Sequence, residues 1–421
     1  MLYHPERVLL LGFCVYLVVF FVTPVTPTVS VELGSVIFII LSCVSFWGGS
    51  IIAGATLPNA IGRARSSEWM KKRARMLLLS TFILGTIGNI LKELDTYYVR
   101  GTAGLDALAM RAELIDNGAG PLSMISSVIY PFGYFPLLIY LGTPWIKRSR
   151  TVLFLTLILF LVPSLDALVL LSRSSLMVGL AMIYFGIALT SYSGQMFPKP
   201  MRWPGLLSVL GLGAISAIVF TERLDGMGID PVDSIYMSAY GYTVTPTAWA
   251  ERGLRTGSDF LASFLTASLP LFQYYTHSFF EFQLLWLNND HQVHSYGLLH
   301  LDAYVKALSI FGLAKQVDVM EIFPRVGVFT SLFGPLWVDF AWAAPLITML
   351  CGFCARRLGV ASARGDIGAQ PLYTFLCVVL FFAPVTDFLL SKGMYTLNAA
   401  IIFWVISRGF ARSIVTIRES N

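Results

Sequence analysis

The hydrophobic pattern of this chain consists of long apolar runs separated by short polar connections, with one long exception between about residues 221 and 335. Runs of about 18 apolar residues are long enough to cross the ~30 Å hydrocarbon core of a membrane as helices. We place ten such spans, at about residues 8–25, 33–55, 76–94, 122–143, 151–171, 174–193, 204–220, 336–355, 370–390 and 394–411. The pattern therefore predicts an all-α polytopic membrane protein with about ten transmembrane helices.

These spans divide the chain into three parts. Residues 1–220 carry seven spans and residues 336–421 carry three. Residues 221–335 form a large external loop, in which we expect short amphipathic helices and the chemistry of the protein.

Composition and charge support a membrane protein rather than two or three soluble domains. Of the 421 residues, 56% are hydrophobic and 13% are charged, and the mean hydropathy is +0.72. Eighteen of the 29 basic residues, but only four of the 24 acidic residues, fall on the side that holds both termini. The positive-inside tendency makes that side cytoplasmic. The net charge of +5 arises in these short connections and does not indicate a nucleic-acid partner.

Two further features of the apolar pattern affect the topology. The first apolar run lacks a small-residue cleavage site, so we expect no cleaved signal peptide. Residues 261–287 are long and apolar enough to form an eleventh span, which would invert everything downstream. That span would place Pro270, His277 and Glu281 near the middle of the membrane, where ionisable groups are costly. We therefore favour an interfacial or re-entrant helix for this stretch.

The external loop holds four of the five histidines and eleven of the 24 acidic residues. Within it, residues 274–281 form an amphipathic pattern in which His277 and Glu281 are four residues apart and share one helix face. Either side chain is a candidate general base. For His277, a purely structural hydrogen-bonding role is the equally weighted alternative.

Arginines isolated on the external side are the second candidate group. Each of them has either an ion-pair partner among the external acids or a phosphate-binding role, because the guanidinium fork binds phosphate bidentately. The best candidates lie beside predicted spans and are Arg173 and Arg325. The full set is Arg100, Arg111, Arg173, Arg223, Arg252, Arg255 and Arg325.

Three acidic residues fall inside or beside predicted spans: Asp166, Asp339 and Asp387. Such residues are functional candidates. Asp339 lies just after the loop and is close enough to the surface to serve the same site, whereas Asp166 and Asp387 are candidates for pairing with each other or with hydroxyl groups of the spans. The loop histidines fit no standard ligand spacing, so we expect no metal. Phosphate-loop, dinucleotide and zinc-protease motifs are missing, so we expect no cofactor.

Several segments resemble the O-antigen (Wzy-type) oligosaccharide repeat-unit polymerases. Their sequences are Tyr98-Val-Arg100-Gly101 with the following Arg111, Leu171-Ser-Arg173-Ser, Tyr275-Thr-His277-Ser-Phe-Phe-Glu281-Phe, Ser295-Tyr-Gly297-Leu, and Phe323-Pro-Arg325-Val-Gly-Val-Phe-Thr330 running into Leu336-Trp-Val-Asp339-Phe. The number of spans and the large penultimate external loop also fit. The R-x10-G spacing of some members is not present.

The resemblance implies a GT-C-like, metal-independent transferase in the bacterial inner membrane, acting at the periplasmic face. Its substrate would be an undecaprenyl-diphosphate-linked oligosaccharide, and its partners would be membrane lipid, a Wzz-type chain-length regulator and a Wzx-type flippase. His277 or Glu281 would be the base, and Asp339 an orienting or alternative base. Arg173 and Arg325 would clamp the diphosphate, with Arg111 and Arg255 as secondary contacts.

Two other function classes stay open at this stage. The O-antigen ligases use similar external arginines and a histidine, so the same motifs fit transfer to a lipid A core or another acceptor. A flippase or transporter for lipid-linked oligosaccharides is the non-enzymatic alternative. A transporter is expected to carry charged residues across the whole membrane depth, whereas most of the external charge here lies at one face.

Overall fold

The computed structural model describes most of the chain. The described residues are 2–57, 68–105, 109–110, 113–114, 120–143, 149–169, 173–190, 228, 231–288, 294–310, 312–315, 322–323, 325, 328–390 and 392–419. The predicted span at residues 204–220 and the external Arg111 and Arg223 lie outside them.

Helices make up most of the described chain. They are α1 Pro5–Val22, α2 Leu33–Ala55, α3 Glu68–Glu93, α4 Pro121–Ile129, α5 Phe135–Gly142, α6 Arg150–Val169, α7 Arg173–Thr190, α8 Pro231–Met237, α9 Ala248–Thr256, α10 Asp259–Leu287, α11 Asp302–Ile310, α12 Phe333–Phe340, α13 Ala344–Ala363, α14 Ala369–Phe382 and α15 Lys392–Glu419. Two short strands, β1 Val25–Pro27 and β2 Val244–Pro246, pair antiparallel.

Five helical stretches in the described residues are long and apolar enough to cross a membrane. They are Pro5–Val22, Leu33–Ala55, Met70–Val99, Pro121–Gly142 and Phe333–Ala363. Each of them overlaps a span predicted from the sequence, so the helical membrane-protein class is confirmed at this level. Three further apolar helical stretches are shorter: Arg150–Pro163, Leu176–Leu189 and Ala369–Phe382.

The predicted span at residues 370–390 is wrong at its C-terminal end. α14 stops at Phe382, and residues 383–390 form turns. Pro384 explains the break, because proline disfavours helical geometry in the residue before it and cannot donate a backbone hydrogen bond. Asp387 therefore lies in a non-helical segment, so its position is not set by the axis of α14.

α2 and α13 pack closely against each other. Thr348 donates a hydrogen bond to the carbonyl of Ser42 at 3.0 Å, and further along both helices Gly54 faces Arg356. Numbering rises together along the two helices, so they are parallel. Small residues allow this approach: a Cβ atom on Gly49 would lie 1.9 Å from the carbonyl oxygen of Met349.

This contact predicts opposite effects for two adjacent glycines. Gly49→Ala is expected to lower the free energy of unfolding by about 1–3 kcal/mol, because the added methyl must push two backbones apart. Gly48 has open space around it, so Gly48→Ala is the matched control and is expected to raise stability by up to about 1 kcal/mol through reduced backbone entropy. Denaturant titration in detergent measures both. Equal effects would contradict the close packing of α2 on α13.

The described part of the predicted loop, residues 221–335, lies against one end of the bundle, where α1 and α14 end and α2, α13 and α15 begin; we call this the loop end. α10 crosses it. Tyr16 of α1 donates to the carbonyl of Thr276 at 2.9 Å, and Ser35 at the start of α2 donates to Gln283 Oε1 at 2.6 Å. The β1–β2 pair, with Thr26 opposite Thr245, ties the α1–α2 connection to the loop.

The path of α10 bears on the eleventh-span alternative. The helix contacts the last two turns of α1 through Tyr16 and Phe20 and the start of α2 through Ser35, and it is not among the five long apolar stretches in the described residues. Parallel α2 and α13 also agree with an odd number of crossings between them: the ten-span scheme places five there, whereas an eleventh span at residues 261–287 would make six and turn the two helices antiparallel. This arrangement favours an interfacial position for residues 261–287.

α10 is much longer than the short amphipathic helix expected around residues 274–281. It has 29 residues and continues through Pro270. Its start is defined by Ser258, whose side chain accepts a hydrogen bond from the backbone N–H of Leu261. α10 is therefore one continuous helix with His277 and Glu281 in its C-terminal half.

Candidate functional site

An arginine and a glutamate, 44 positions apart in the sequence, form the centre of the candidate site. Arg325 Nη1 donates to Glu281 Oε1 at 2.5 Å. The Glu281 side chain is 4% exposed and that of Arg325 is 21% exposed. The guanidinium is more exposed than the carboxylate that it covers. An incoming anion or hydroxyl therefore reaches the pair from the side of Arg325.

The turn before β2 supplies the remaining contacts of this pair. Thr243 donates to Glu281 Oε1 at 3.1 Å. Arg325 Nη2 donates to the carbonyl of Ala239, and its guanidinium lies 4.5 Å from the centre of the exposed Tyr242 ring. Arg325 thus joins α10 to the residue 238–243 turn, with its plane held by a stacking contact.

The environment of Glu281 suits a proton acceptor. Burial raises the pKa of Glu281 to about 7, although the charge of Arg325 and the hydrogen bonds from Thr243 and Arg325 act in the opposite direction. A general base works best when its pKa lies near the working pH. Glu281 therefore fits this role at neutral pH.

His277 fits the role less well. Its ring is fully buried, and Nδ1 lies 3.0 Å from the carbonyl of Gln273 one turn earlier. The rings of Tyr240 and Phe329 are each 4.4 Å from the His277 ring, centre to centre. Burial lowers the pKa of His277 to about 4, so the side chain is neutral and weakly basic at pH 7. This geometry favours a packing role beside Glu281.

The other arginines proposed from the sequence do not join Arg325 in the described contacts. Arg111 lies outside the described residues. Arg173 begins α7, but its side chain is outside the described part. Arg255 is 69% exposed and pairs with Glu251 on its own helix at 2.9 Å, as expected for a surface ion pair of small energetic weight.

Asp339 is brought into a second buried cluster rather than beside Glu281. Its carboxylate accepts hydrogen bonds from Ser295 Oγ at 2.5 Å, Leu299 N at 3.1 Å and His300 N at 3.0 Å. Left-handed backbone at Tyr296 (φ 50°) and Gly297 (φ 90°) turns the chain so that both ends of the 295–300 segment meet this carboxylate. With so many donors, Asp339 is suited to orienting the turn and poorly suited to accepting a proton.

His300 links Asp339 to Asp387. Its Nδ1 lies 2.5 Å from Asp339 Oδ2 and its Nε2 lies 3.1 Å from Asp387 Oδ2. Burial disfavours the charged ring, but the hydrogen bond that His300 makes to Asp339 and the negative charges of Asp339 and Asp387 raise the pKa of His300 to about 9. The result is an imidazolium between two carboxylates, which we call the Asp–His–Asp cluster. Asp387 is thus paired with His300, while the side chain of Asp166, its suggested partner, lies outside the described part of the chain.

Backbone hydrogen bonds connect the two clusters through α10. Ser278, next to His277, accepts from Ser331 N at 3.4 Å and donates from its hydroxyl to the Pro384 carbonyl at 3.1 Å. Leu332 N donates to the Ala383 carbonyl at 2.9 Å. The segment that follows Arg325 is therefore fastened both to α10 and to the segment that carries Asp387.

Sequence reasoning missed Thr243, Tyr242, His300 and the position of Asp387. For His300 a weak signal exists, because it follows the Ser295-Tyr-Gly297-Leu segment that the resemblance identified. Tyr242 and Thr243 carry no sequence signal, since threonine and tyrosine occur at many other external positions.

The described residues contain no group of three or more histidine, cysteine or carboxylate side chains arranged to hold a metal ion. The chain matches no protein-family model, and neither a curated protein nor a solved structure is significantly similar to it. The function is therefore inferred from the geometry of the loop end together with the motifs in the sequence.

Proposed function

We propose that this protein polymerises undecaprenyl-diphosphate-linked oligosaccharide repeat units into O-antigen or a related surface polysaccharide, as a Wzy-type transferase of GT-C-like architecture with about ten spans. It works at the periplasmic face of the bacterial inner membrane, with both termini in the cytoplasm. The growing glycan moves from its diphosphate carrier to a hydroxyl of a new lipid-linked unit. The observation that carries the proposal is the Glu281–Arg325 pair at the loop end.

The pair supplies the two functions that glycosyl transfer from a diphosphate requires. Negative charge develops on the leaving diphosphate, and a preorganised guanidinium stabilises it. The attacking hydroxyl loses its proton, and a carboxylate with a pKa near 7 accepts it. In this scheme Arg325 binds the diphosphate and Glu281 is the base, while His277 supports Glu281 and Asp339 orients the neighbouring turn. A single displacement of this kind inverts the anomeric configuration.

The remaining arginines keep their proposed roles, Arg173 as the second member of the diphosphate clamp and Arg111 and Arg255 as secondary contacts. A diphosphate diester carries two charges, so one arginine neutralises it only in part. Arg173, Arg111 and Arg255 are the additional cations in this proposal, with Arg173 the main partner of Arg325.

Reconstitution tests the proposal. Purified protein in detergent receives undecaprenyl-diphosphate-linked repeat units and EDTA, without nucleotide sugar, and the glycolipids are separated on a gel. A ladder of products is the expected result, and inverted anomeric configuration in the new linkage is expected by NMR. A band that shifts only after lipid A core is added would replace the polymerase with a ligase, while no shift with either acceptor would remove both.

The transporter alternative receives less support from the residues that first suggested it. Asp387 is engaged by His300 at the loop end, in a segment outside any helix. It is therefore not a free acid within a transport path. The side chain of Asp166 lies outside the described part of the chain.

A further inference from the structure

Arg325 holds its buried carboxylate partner through one guanidinium nitrogen only. Nη1 contacts Glu281, whereas the contacts with Ala239 and Tyr242 involve Nη2 and the guanidinium plane. The second set of contacts can hold the guanidinium in place while Nη1 changes partner. A phosphate oxygen is a charged acceptor and can approach Nη1 from the exposed side. It therefore competes with the Glu281 carboxylate for the hydrogen bond from Nη1.

Glu281 has few other groups that can stabilise its charge. Among the described residues, Arg325 and Thr243 are the groups that act on its carboxylate. His277, one turn earlier, is neutral at pH 7, and the Tyr240 and Tyr242 rings lie on the facing turn. A buried carboxylate that loses its cation is costly and is protonated instead.

We propose that a diphosphate ligand and the Glu281 carboxylate compete for Arg325, so that ligand binding releases Glu281 from its cation and is coupled to uptake of a proton by Glu281. The identity of the ligand rests on the proposed function, whereas the exchange rests on the contacts of Arg325. In the resting protein the pair neutralises itself, and the carboxylate becomes a stronger base only when the anion has taken the arginine.

Linkage gives the expected pH dependence. Because the proton is bound more tightly in the complex, affinity for the anion falls as pH rises above about 7, with a limit of about tenfold per pH unit for one coupled proton. In the full reaction, the acid limb of kcat/KM follows the free protein and that of kcat follows the complex. The kcat limb is therefore expected at the higher pH.

The binding test uses a probe that does not itself titrate. P1,P2-dimethyl diphosphate is a diester with two strongly acidic phosphate groups and stays a dianion between about pH 6 and 8. Isothermal titration of the full-length protein in detergent, in buffers of different ionisation enthalpy, measures both affinity and protons taken up. Because Glu281 with a pKa of about 7 is already about half protonated in the free protein at pH 7, wild-type protein is expected to take up about half a proton per bound probe at pH 7 and a larger fraction at pH 8.

Two variants separate this coupling from a general charge effect. Glu281→Gln removes the competing carboxylate, so it is expected to bind the probe several-fold more tightly and without pH dependence. Asp259→Asn makes the same charge change at an exposed helix start and is expected to keep the wild-type pH slope. A wild-type affinity that does not change with pH, or Glu281→Gln binding no tighter than Asp259→Asn, would overturn the proposal.

The result of the probe-binding experiment does not depend on the result of the reconstitution. A product ladder together with flat probe binding would leave the polymerase standing and remove the exchange. Proton-coupled probe binding without any ladder would do the reverse. A farnesyl diphosphate diester is used as a second probe, to distinguish a lipid headgroup from a soluble anion. Binding about tenfold tighter than that of the dimethyl compound assigns the site to a lipid-linked diphosphate. If Glu281→Gln fails to accumulate, the pH series on the wild-type protein decides alone.

Discussion

Replacing Glu281 by glutamine is expected to lower polymer formation by about 10²–10⁴-fold, the usual contribution of a positioned general base. The amide keeps an oxygen that accepts from Arg325 and Thr243, so the fold around it is expected to persist. The loss therefore reports the missing proton acceptor. Quantifying the glycolipid ladder from membranes with equal protein content measures it.

The companion change is Arg325→Lys, which is expected to reduce the ladder to a similar extent. Lysine keeps the positive charge but lacks the planar fork that reaches Glu281 and the Ala239 carbonyl while lying over Tyr242. Arg252→Gln, at an exposed arginine of the same loop, is the control and should retain full chain length. A wild-type ladder from Arg325→Lys would mean that only a surface charge is needed here.

The largest stability effect is expected from His300→Leu. Removing the imidazolium leaves two buried carboxylates, on Asp339 and Asp387, facing each other without a cation. Breaking a buried ion pair in this way costs about 3–5 kcal/mol. We expect a loss of unfolding free energy in that range at neutral pH, measured by denaturant titration in detergent.

The control for this variant is His294→Leu. His294 makes a single described hydrogen bond, to the Val338 carbonyl at 3.2 Å, and is half-buried, so its loss is expected to cost about 1 kcal/mol. Neutralising all three charges, as His300→Leu with Asp339→Asn and Asp387→Asn, is expected to recover much of the stability. Equal losses for His300→Leu and His294→Leu would show that the cluster carries no net charge interaction.

The pH dependence of stability provides a second readout of the same cluster. The pKa of His300 is raised in the folded protein to about 9, from the ordinary histidine value of 6.5. Its stabilising contribution is therefore complete below about pH 6.5 and is lost as the pH rises through about 9. The difference between wild type and His300→Leu is expected to shrink over this interval, and a constant difference would contradict a charged histidine.

The Asp–His–Asp cluster also affects how the Asp166→Asn/Asp387→Asn double variant, which tests the transporter alternative, is interpreted. Asp166→Asn with Asp387→Asn removes two membrane-associated acids, and unchanged glycan output would argue against proton-coupled transport. Because Asp387 is bound to His300, the same variant also weakens the loop end. Loss of output is therefore informative only alongside a stability measurement.

The sequence by itself determined the helical membrane-protein class and the approximate positions of the five long apolar helical stretches. Apolar runs of sufficient length are a local property, and burial of the backbone polar groups in lipid leaves a helix as the conformation available to a single span. The helix face shared by His277 and Glu281 is equally local, since it follows from a spacing of four residues. These predictions needed no information about distant parts of the chain.

Only the tertiary structure decided which charged residues meet. Glu281 contacts Arg325 and Asp339 contacts His300 across gaps of 44 and 39 residues. The position of Arg325 beside a predicted span made it a candidate, but nothing in the local pattern showed that its partner is Glu281 or that Arg255 pairs within its own helix. The difference is burial, which depends on how α10 lies across the bundle and how the 295–300 turn folds back. A buried charge requires a partner, whereas an exposed charge does not. The packing of the loop against the helix ends buries these charges and therefore decides which residues form the site.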